Sequence, residues 1–282
     1  MLGFYIVNKA TGTNSTKVVS AIKHLTHEKC GHLGTLDPLA AGVLPVAVGK
    51  ATKLFDYFLN KDKKYYAIGL FGVETETLDS AGKVINRQNV NIQKSQIEAV
   101  LPQFCGKIKQ IPPKYSAIKI NGQRAYDLAR EGKEALISWR EIEIFDISVS
   151  EKGNNLFEFN IHCSSGTYVR TLINDIAKAV GTFATTICII RQSSGPFTIE
   201  MSNTLEDIKN GNAKLYGVEE VLNIQKIEIE NLPAKRLLAG QTIITDFVGG
   251  ESLILNNKKP LGLATTKNKH TKLTINMWEE DK

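Results

Sequence analysis

Gly31-His32-Leu33-Gly34-Thr35-Leu36-Asp37-Pro38-Leu39-Ala40-Ala41-Gly42-Val43-Leu44-Pro45-Val46-Ala47-Val48 sets one carboxylate between a glycine-bearing loop and an apolar run. Taken alone, Asp37-Pro38 is an ordinary turn, because Asp bonds to nearby backbone and Pro presets φ at the next position. Its surroundings are less ordinary. Gly31 and Gly34 let the backbone bend sharply or approach a ligand before Asp37 is presented. Pro38 stiffens the chain behind the carboxylate, and Val43 to Val48 reads as a buried strand that anchors the loop in a core.

Working outward, Phe4 to Val7 is a short apolar strand. A helix from about Ser15 to Leu25 follows behind an Asn14/Ser15 cap, with Val18, Ile22 and Leu25 at helical spacing. Ala51 to Leu59 reads as a helix, and Tyr65 to Phe71 as a strand ending at Gly72. Ser95-Gln96-Ile97-Glu98 has the capping-box pattern and opens a helix towards Pro102. Ile111 to about Glu141 is an excursion holding Pro112-Pro113, a turn at Asn121-Gly122 and a short helix Arg124 to Arg130 stopped by Gly132. Ile142 to Val149 and Leu156 to Cys163 alternate with period two around Gly153-Asn154-Asn155, which predicts an antiparallel hairpin. A helix from Thr167 to Val180, closed by Gly181, precedes a strand near Thr186 to Ile190. Polar residues at 210–212 mark loosening structure. From about Ile229, short apolar segments punctuated by Gly240, Gly249-Gly250 and Pro260 suggest a small all-β terminal domain.

The 282 residues, 42% hydrophobic and 23% charged, suffice for one good core and a small second domain. No stretch approaches the roughly 18 to 20 apolar residues of a membrane span, and the start has no signal-peptide pattern, so the expected location is the cytoplasm. Cys30, Cys105, Cys163 and Cys188 lie far apart without a C-x-x-C pair. They read as small buried hydrophobes, and neither a zinc site nor a disulfide framework is expected. The net charge of +6 is carried by the two ends, residues 1–64 and 231–282. Basic ends fit a polyanionic partner, and on charge alone they fit a soluble basic surface equally well.

Gly31 to Lys53 resembles the signature of the bacterial tRNA pseudouridine-55 synthases, the TruB type, over 23 consecutive positions. Further blocks agree in order: Asp62-Lys63-Lys64-Tyr65, Pro112 to Lys119, Cys163 to Thr171, and Ile189 to Gly195. The resemblance covers most of residues 1–225. It implies an α+β fold with a mixed, largely antiparallel central sheet flanked by helices, spanning 1–228. The excursion at about 111–141 would be an RNA-gripping insertion, and residues 229–282 a small β-rich PUA-like RNA-binding domain.

The resemblance also implies a reaction: the N1–C1′ bond of a uridine in the tRNA T-loop breaks, the base turns, and it rejoins through C5. Such chemistry needs no metal or cofactor, and none is expected. Asp37 would be the catalytic carboxylate, with three roles open: attack on C1′, attack on C6, or removal of the 2′ proton. Arg170, charged at any relevant pH, would hold it. Tyr65 and Tyr168 would face the flipped base, Ile189 would add an apolar wall, and His32 would enter the vacated space. Lys63, Lys64, Lys114, Lys119 and Arg191 are candidate phosphate contacts. The expected partner is the T-arm of tRNA, bound by a monomer with no protein partner required and no membrane. Two departures stand out: Ala10-Thr11-Gly12 follows Asn8-Lys9 where the family has Pro-x-Gly, and Ser138-Trp139-Arg140 replaces Pro-x-Arg. Three rival readings fit the residues less well. A silent RNA binder has no use for the carboxylate, a carboxylate hydrolase calls for a second acid that does not stand out, and a guide-dependent synthase fits the insertion less well.

Overall fold

The computed structural model describes residues 1–116, 118–120, 122–124, 128, 137–247 and 249–278. Its strands run β1 (Gly3–Lys9), β2 (Cys30–His32), β3 (Ala41–Val48), β4 (Lys63–Phe71), β5 (Val73–Thr75), β6 (Val84–Arg87), β7 (Gly106–Gln110), β8 (Lys119–Ile120) and β9 (Gln123–Arg124). They continue with β10 (Arg140–Gly153), β11 (Leu156–Cys163), β12 (Ala184–Ser194), β13 (Phe197–Thr198), β14 (Gln225–Glu228), β15 (Ile243–Ile244), β16 (Gly250–Asn256), β17 (Lys259–Lys267) and β18 (His270–Asn276). Its helices include α1 (Ser15–Thr26), α2 (Phe55–Leu59), α3 (Lys94–Val100) and α4 (Val169–Ala179).

A nine-stranded sheet in the order β1-β3-β12-β4-β11-β10-β7, with β2 beside β3 and β13 beside β12, forms the frame. All its pairings are antiparallel except β3 with β12, where Ile190 meets Ala41 and Arg191 meets Gly42. The expected mixed, largely antiparallel sheet is therefore what forms. Pro45 fits inside β3 for a simple reason. Its carbonyl accepts from Leu33 N at 2.9 Å, so its missing N–H faces the gap where β3 passes from β12 to β2.

The Asn154 and Asn155 backbones sit at φ 52° and 60°, which gives the β10–β11 hairpin the turn its right-handed twist favours. Helix α4 starts at Val169 rather than Thr167, since Thr167 Oγ1 instead bonds Ser164 O at 3.0 Å. It closes as expected at Gly181, φ +83°, with Gly181 N on Lys178 O and Thr182 N on Ala177 O, both at 3.0 Å. Leu172, Ile173, Ile176 and Ala177 of α4 pack on Ala67, Phe159 and Ile161 of the sheet.

Several elements differ from expectation. Leu25 is 41% exposed, so the buried residues of α1 are Ser15, Val18 and Ile22, with Val19 packed partly against the core. Ala51 to Leu59 divides into a 3-10 stretch, Gly49–Leu54, and α2. The cap of α3 is Gln93 rather than Ser95, and its N–H donates to Gln96 Oε1 at 2.8 Å. Of the cysteines only Cys163 is buried; Cys105 is exposed, and all four are free thiols. In the excursion, β8 and β9 pair Ile120 with Gln123, leaving a two-residue connection with Gly122 at φ +88°. Arg124 ends β9, and the rest of the helix expected to Arg130, with its stop at Gly132, falls largely outside the described residues.

The C-terminal sheet runs β14-β16-β17-β18-β15 and takes its first strand from residues before Ile229. A helix, Asn231–Leu238, lies against it, so this part is β-rich but not all-β. Leu253, Leu263 and Met277 join Phe4, Phe58 and Phe197 in one apolar cluster, which fixes the sheet to the main body. Among the described residues no helix is long and apolar enough to cross a membrane.

Candidate active site

The loop between β2 and β3 is tied down on both sides of Asp37. Ser15, buried in the first turn of α1, donates its hydroxyl to Leu36 O at 2.8 Å and accepts from Leu36 N at 3.0 Å. Lys9, 1% exposed, donates to Pro38 O at 3.2 Å, Thr13 O at 2.7 Å and Ala10 O at 3.0 Å. Gly12 N also reaches Pro38 O, at 2.7 Å. Arg191, 2% exposed, donates to Gly34 O at 3.0 Å, Thr35 O at 3.4 Å and Val43 O at 2.8 Å. A sharply bent loop strands carbonyls in the interior, and two buried cations supply the donors. Burial lowers the Lys9 ammonium to about 8, against the opposing pull of Asp37.

Glycine is required at two points of this bend, Gly34 and Gly42, rather than at Gly31, which is an ordinary residue of β2. Gly34 has φ +124°; Gly42 has φ +97°, and a Cβ there would lie 2.3 Å from Arg191 O.

Asp37 points into a cleft of about 450 Å³ lined by Thr35, Leu36, Ala40, Tyr65, Tyr168, Arg170 and Ile189, among others. Arg170, 4% exposed, meets Asp37 Oδ2 at 2.7 Å with one guanidinium nitrogen. Its other terminal nitrogen meets Asp79 Oδ2 at 3.2 Å, and the fork also donates to Thr77 O at 2.8 Å and Tyr115 O at 3.1 Å. Asp79 is itself held by Thr77 Oγ1 at 2.6 Å and Ala81 N at 3.0 Å. The arginine thus bridges a fixed, buried carboxylate and a carboxylate whose side chain is 39% exposed to the cleft.

Tyr65 lies across the β4–β12 ladder from Arg191; burial pushes its phenol up, and the Arg191 guanidinium pulls it back. Burial also raises the Tyr168 phenol, whose ring carries the Arg140 guanidinium 5.1 Å from its centroid. Five of the six sequence-derived site residues, Asp37, Tyr65, Tyr168, Arg170 and Ile189, share this cleft. His32 is outside its lining, half-buried on β2 opposite Val46. Two candidate phosphate contacts are corrected: Arg191 serves the loop carbonyls, and Lys63, 5% exposed, donates to Leu59 O at 2.6 Å and Lys61 O at 2.5 Å. Lys64 and Lys114 are exposed. Sequence reasoning missed Asp79, Lys9 and Gln110, whose contacts with Arg170, Pro38 O and the Tyr168 backbone join segments far apart in the chain. Among the described residues no group of three or more His, Cys, Asp or Glu is placed to hold a metal ion.

Solved structures share this architecture. An H/ACA RNP bound to a substrate RNA containing 2′-deoxyuridine matches with TM-score 0.72 at 22% identity, over 99% of this chain and 86% of that one. A Cbf5-Nop10-Gar1 complex matches with TM-score 0.69 at 25% identity, over 97% and 79%. The fold is that of the pseudouridine synthases. More narrowly, residues 22–169 match the TruB family pseudouridylate synthase N-terminal domain, and the chain belongs to that family. Its relatives include a tRNA pseudouridine synthase B of Francisella philomiragia, 42% identical over 74% of this chain and 70% of the relative. Another from Francisella tularensis subsp. holarctica is 39% identical over 81% and 76%.

Proposed function

We propose that the protein isomerises uridine 55, in the T-loop of tRNA, to pseudouridine, with Asp37 as the reacting carboxylate. The observation that carries this reading is the Asp37–Arg170 contact of 2.7 Å at the mouth of a cleft walled by Tyr65, Tyr168 and Ile189. Bond-breaking at C1′ leaves a detached uracil that must be kept, turned and rejoined, so the site needs one ionised carboxylate and enclosing walls. Arg170 holds Asp37 and fixes its aim into the cleft. The N1–C1′ bond breaks, the C5–C1′ bond forms, the C5 proton leaves to solvent and N1 gains one, so no electrons are exchanged with a cofactor.

Extruding the uridine costs about a few kcal/mol of stacking, which the aromatic faces of Tyr65 and Tyr168 partly recover. Ile189 closes the apolar side, and His32, on the strand leading into the same loop, enters the stack the base vacates. The excursion at 111–141 grips the T-arm, and the C-terminal sheet adds a PUA-like RNA-binding surface. The protein acts as a monomer in the cytoplasm without a protein partner.

The test is to incubate an unmodified tRNA transcript with the purified protein and map pseudouridine by carbodiimide adducts and primer extension. One stop at position 55, absent from a transcript carrying cytidine there, is expected; modification elsewhere, or none, contradicts the assignment.

A further inference from the structure

Gln110 is the last residue of β7, at the neck of the excursion, and is 1% exposed. A buried primary amide needs partners for its N–H and C=O groups, and it finds both on one residue. Its Nε2 donates to Tyr168 O at 3.1 Å, and its Oε1 accepts from Tyr168 N at 2.8 Å. The side chain therefore pairs with the Tyr168 backbone as a strand neighbour would. Tyr168 is the N-cap of α4, has no side-chain cap of its own, and gives its carbonyl to Leu172 N at 3.0 Å. Arg170 follows two residues later.

Across the neck, Gln110 forms a ladder rung with Arg140, the first residue of β10. Arg140 sits over the Tyr168 ring and donates to Gly166 O at 3.2 Å. From the entering side, Tyr115 O accepts from Arg170 at 3.1 Å. Both ends of the excursion thus fasten to the short segment that carries Tyr168 and Arg170.

We propose that Gln110 is a positioning residue for the reaction: its amide fixes the start of α4, and with it the aim of Arg170 at Asp37, to the neck of the excursion. RNA bound by the excursion is thereby coupled to the geometry of the carboxylate. This inference rests on the reading of the cleft as the uridine site.

The experiment is a double-mutant cycle on the full chain with [5-³H]uridine-labelled tRNA transcript, read as single-turnover tritium release at saturating protein, with filter binding alongside. Gln110→Met keeps the volume and removes both hydrogen bonds. It should slow release by about 10- to 50-fold with tRNA affinity within about 3-fold. In the Arg170→Lys background the same change should cost less than about 3-fold, because its effect runs through a fork already lost. Gln110→Glu, whose carboxylate repels Tyr168 O, serves as a second variant should Met not fold, and loses rate likewise. A Gln110→Met rate within about 2-fold of wild type, an equal loss in both backgrounds, or a loss of affinity in place of rate overturns the inference. A wild-type protein that releases no tritium overturns the uridine reading itself, so the two failures are distinguishable.

Discussion

Replacing Arg170 with Lys keeps the charge and removes the fork. The guanidinium makes four contacts from a site 4% exposed: Asp37 at 2.7 Å, Asp79 at 3.2 Å, Thr77 O at 2.8 Å and Tyr115 O at 3.1 Å. An ammonium is a compact point on a shorter stem and retains at best two of them. The fixed carboxylate, Asp79, is the more buried, at 12% side-chain exposure against 39% for Asp37, so the lysine stays with Asp79 and releases Asp37. Losing one half-screened charged bond and one bond to a carbonyl comes to about 2 to 3 kcal/mol. In a step that needs Asp37 in place, that is about 30- to 150-fold in rate. Single-turnover tritium release from tRNA measures it, and filter binding should show affinity changed by less than about 3-fold. A rate within about 3-fold of wild type would mean that Arg170 does not hold the reacting carboxylate, and the electrostatic reasoning would fail with it.

Other consequences are structural. Gly42→Ala sets a Cβ 2.3 Å from Arg191 O at φ +97°, and should cost about 2 to 4 kcal/mol in denaturant unfolding; a cost under about 1 would show that the β3–β12 crossing is slack. Asn155→Ala removes bonds to Ile92 N at 3.1 Å and Val90 O at 2.8 Å and strains a residue at φ 60°, so it should lose about 2 to 3 kcal/mol, and Asn155→Gly less. Lys63 is held near 8 in the fold against an ordinary 10.5, mainly by burial. Between those values the unfolded chain keeps a proton that the folded chain has shed, so stability gains as pH rises through the window. The stability of wild type relative to Lys63→Met should therefore increase from pH 7.5 to 9.5, whereas a flat difference would place the ammonium in solvent.

Local signals in the sequence were sufficient where the physics is local. The Gly153-Asn154-Asn155 turn and the Gly181 stop of α4 follow from residues that tolerate positive φ, and β3 follows from its apolar run. Asp37, Tyr65, Tyr168, Arg170 and Ile189 were legible only through the motif, because their meeting is a product of the sheet order. Asp79 was not legible: nothing in Thr77-Leu78-Asp79 says that an arginine from α4 will reach it. Arg191 and Lys63 misled for the opposite reason. A basic residue suggests surface, but here bent backbone leaves carbonyls inside that only a long donor-rich side chain can satisfy. The cap of α3 falls at Gln93 rather than Ser95 because the overlapping pattern Gln93 to Gln96 offers the same reciprocal pairing, and Gln96 answers the Gln93 N–H.

The central claim is that Asp37 is the reacting carboxylate of a uridine isomerase. Tritium release from [5-³H]uridine-labelled tRNA, with wild type beside Asp37→Asn and no added cofactor, tests it most directly. The account predicts release approaching one tritium per tRNA from wild type, and none above background from Asp37→Asn despite a wild-type melting curve and retained tRNA binding. Release by Asp37→Asn at a rate comparable to wild type would contradict it.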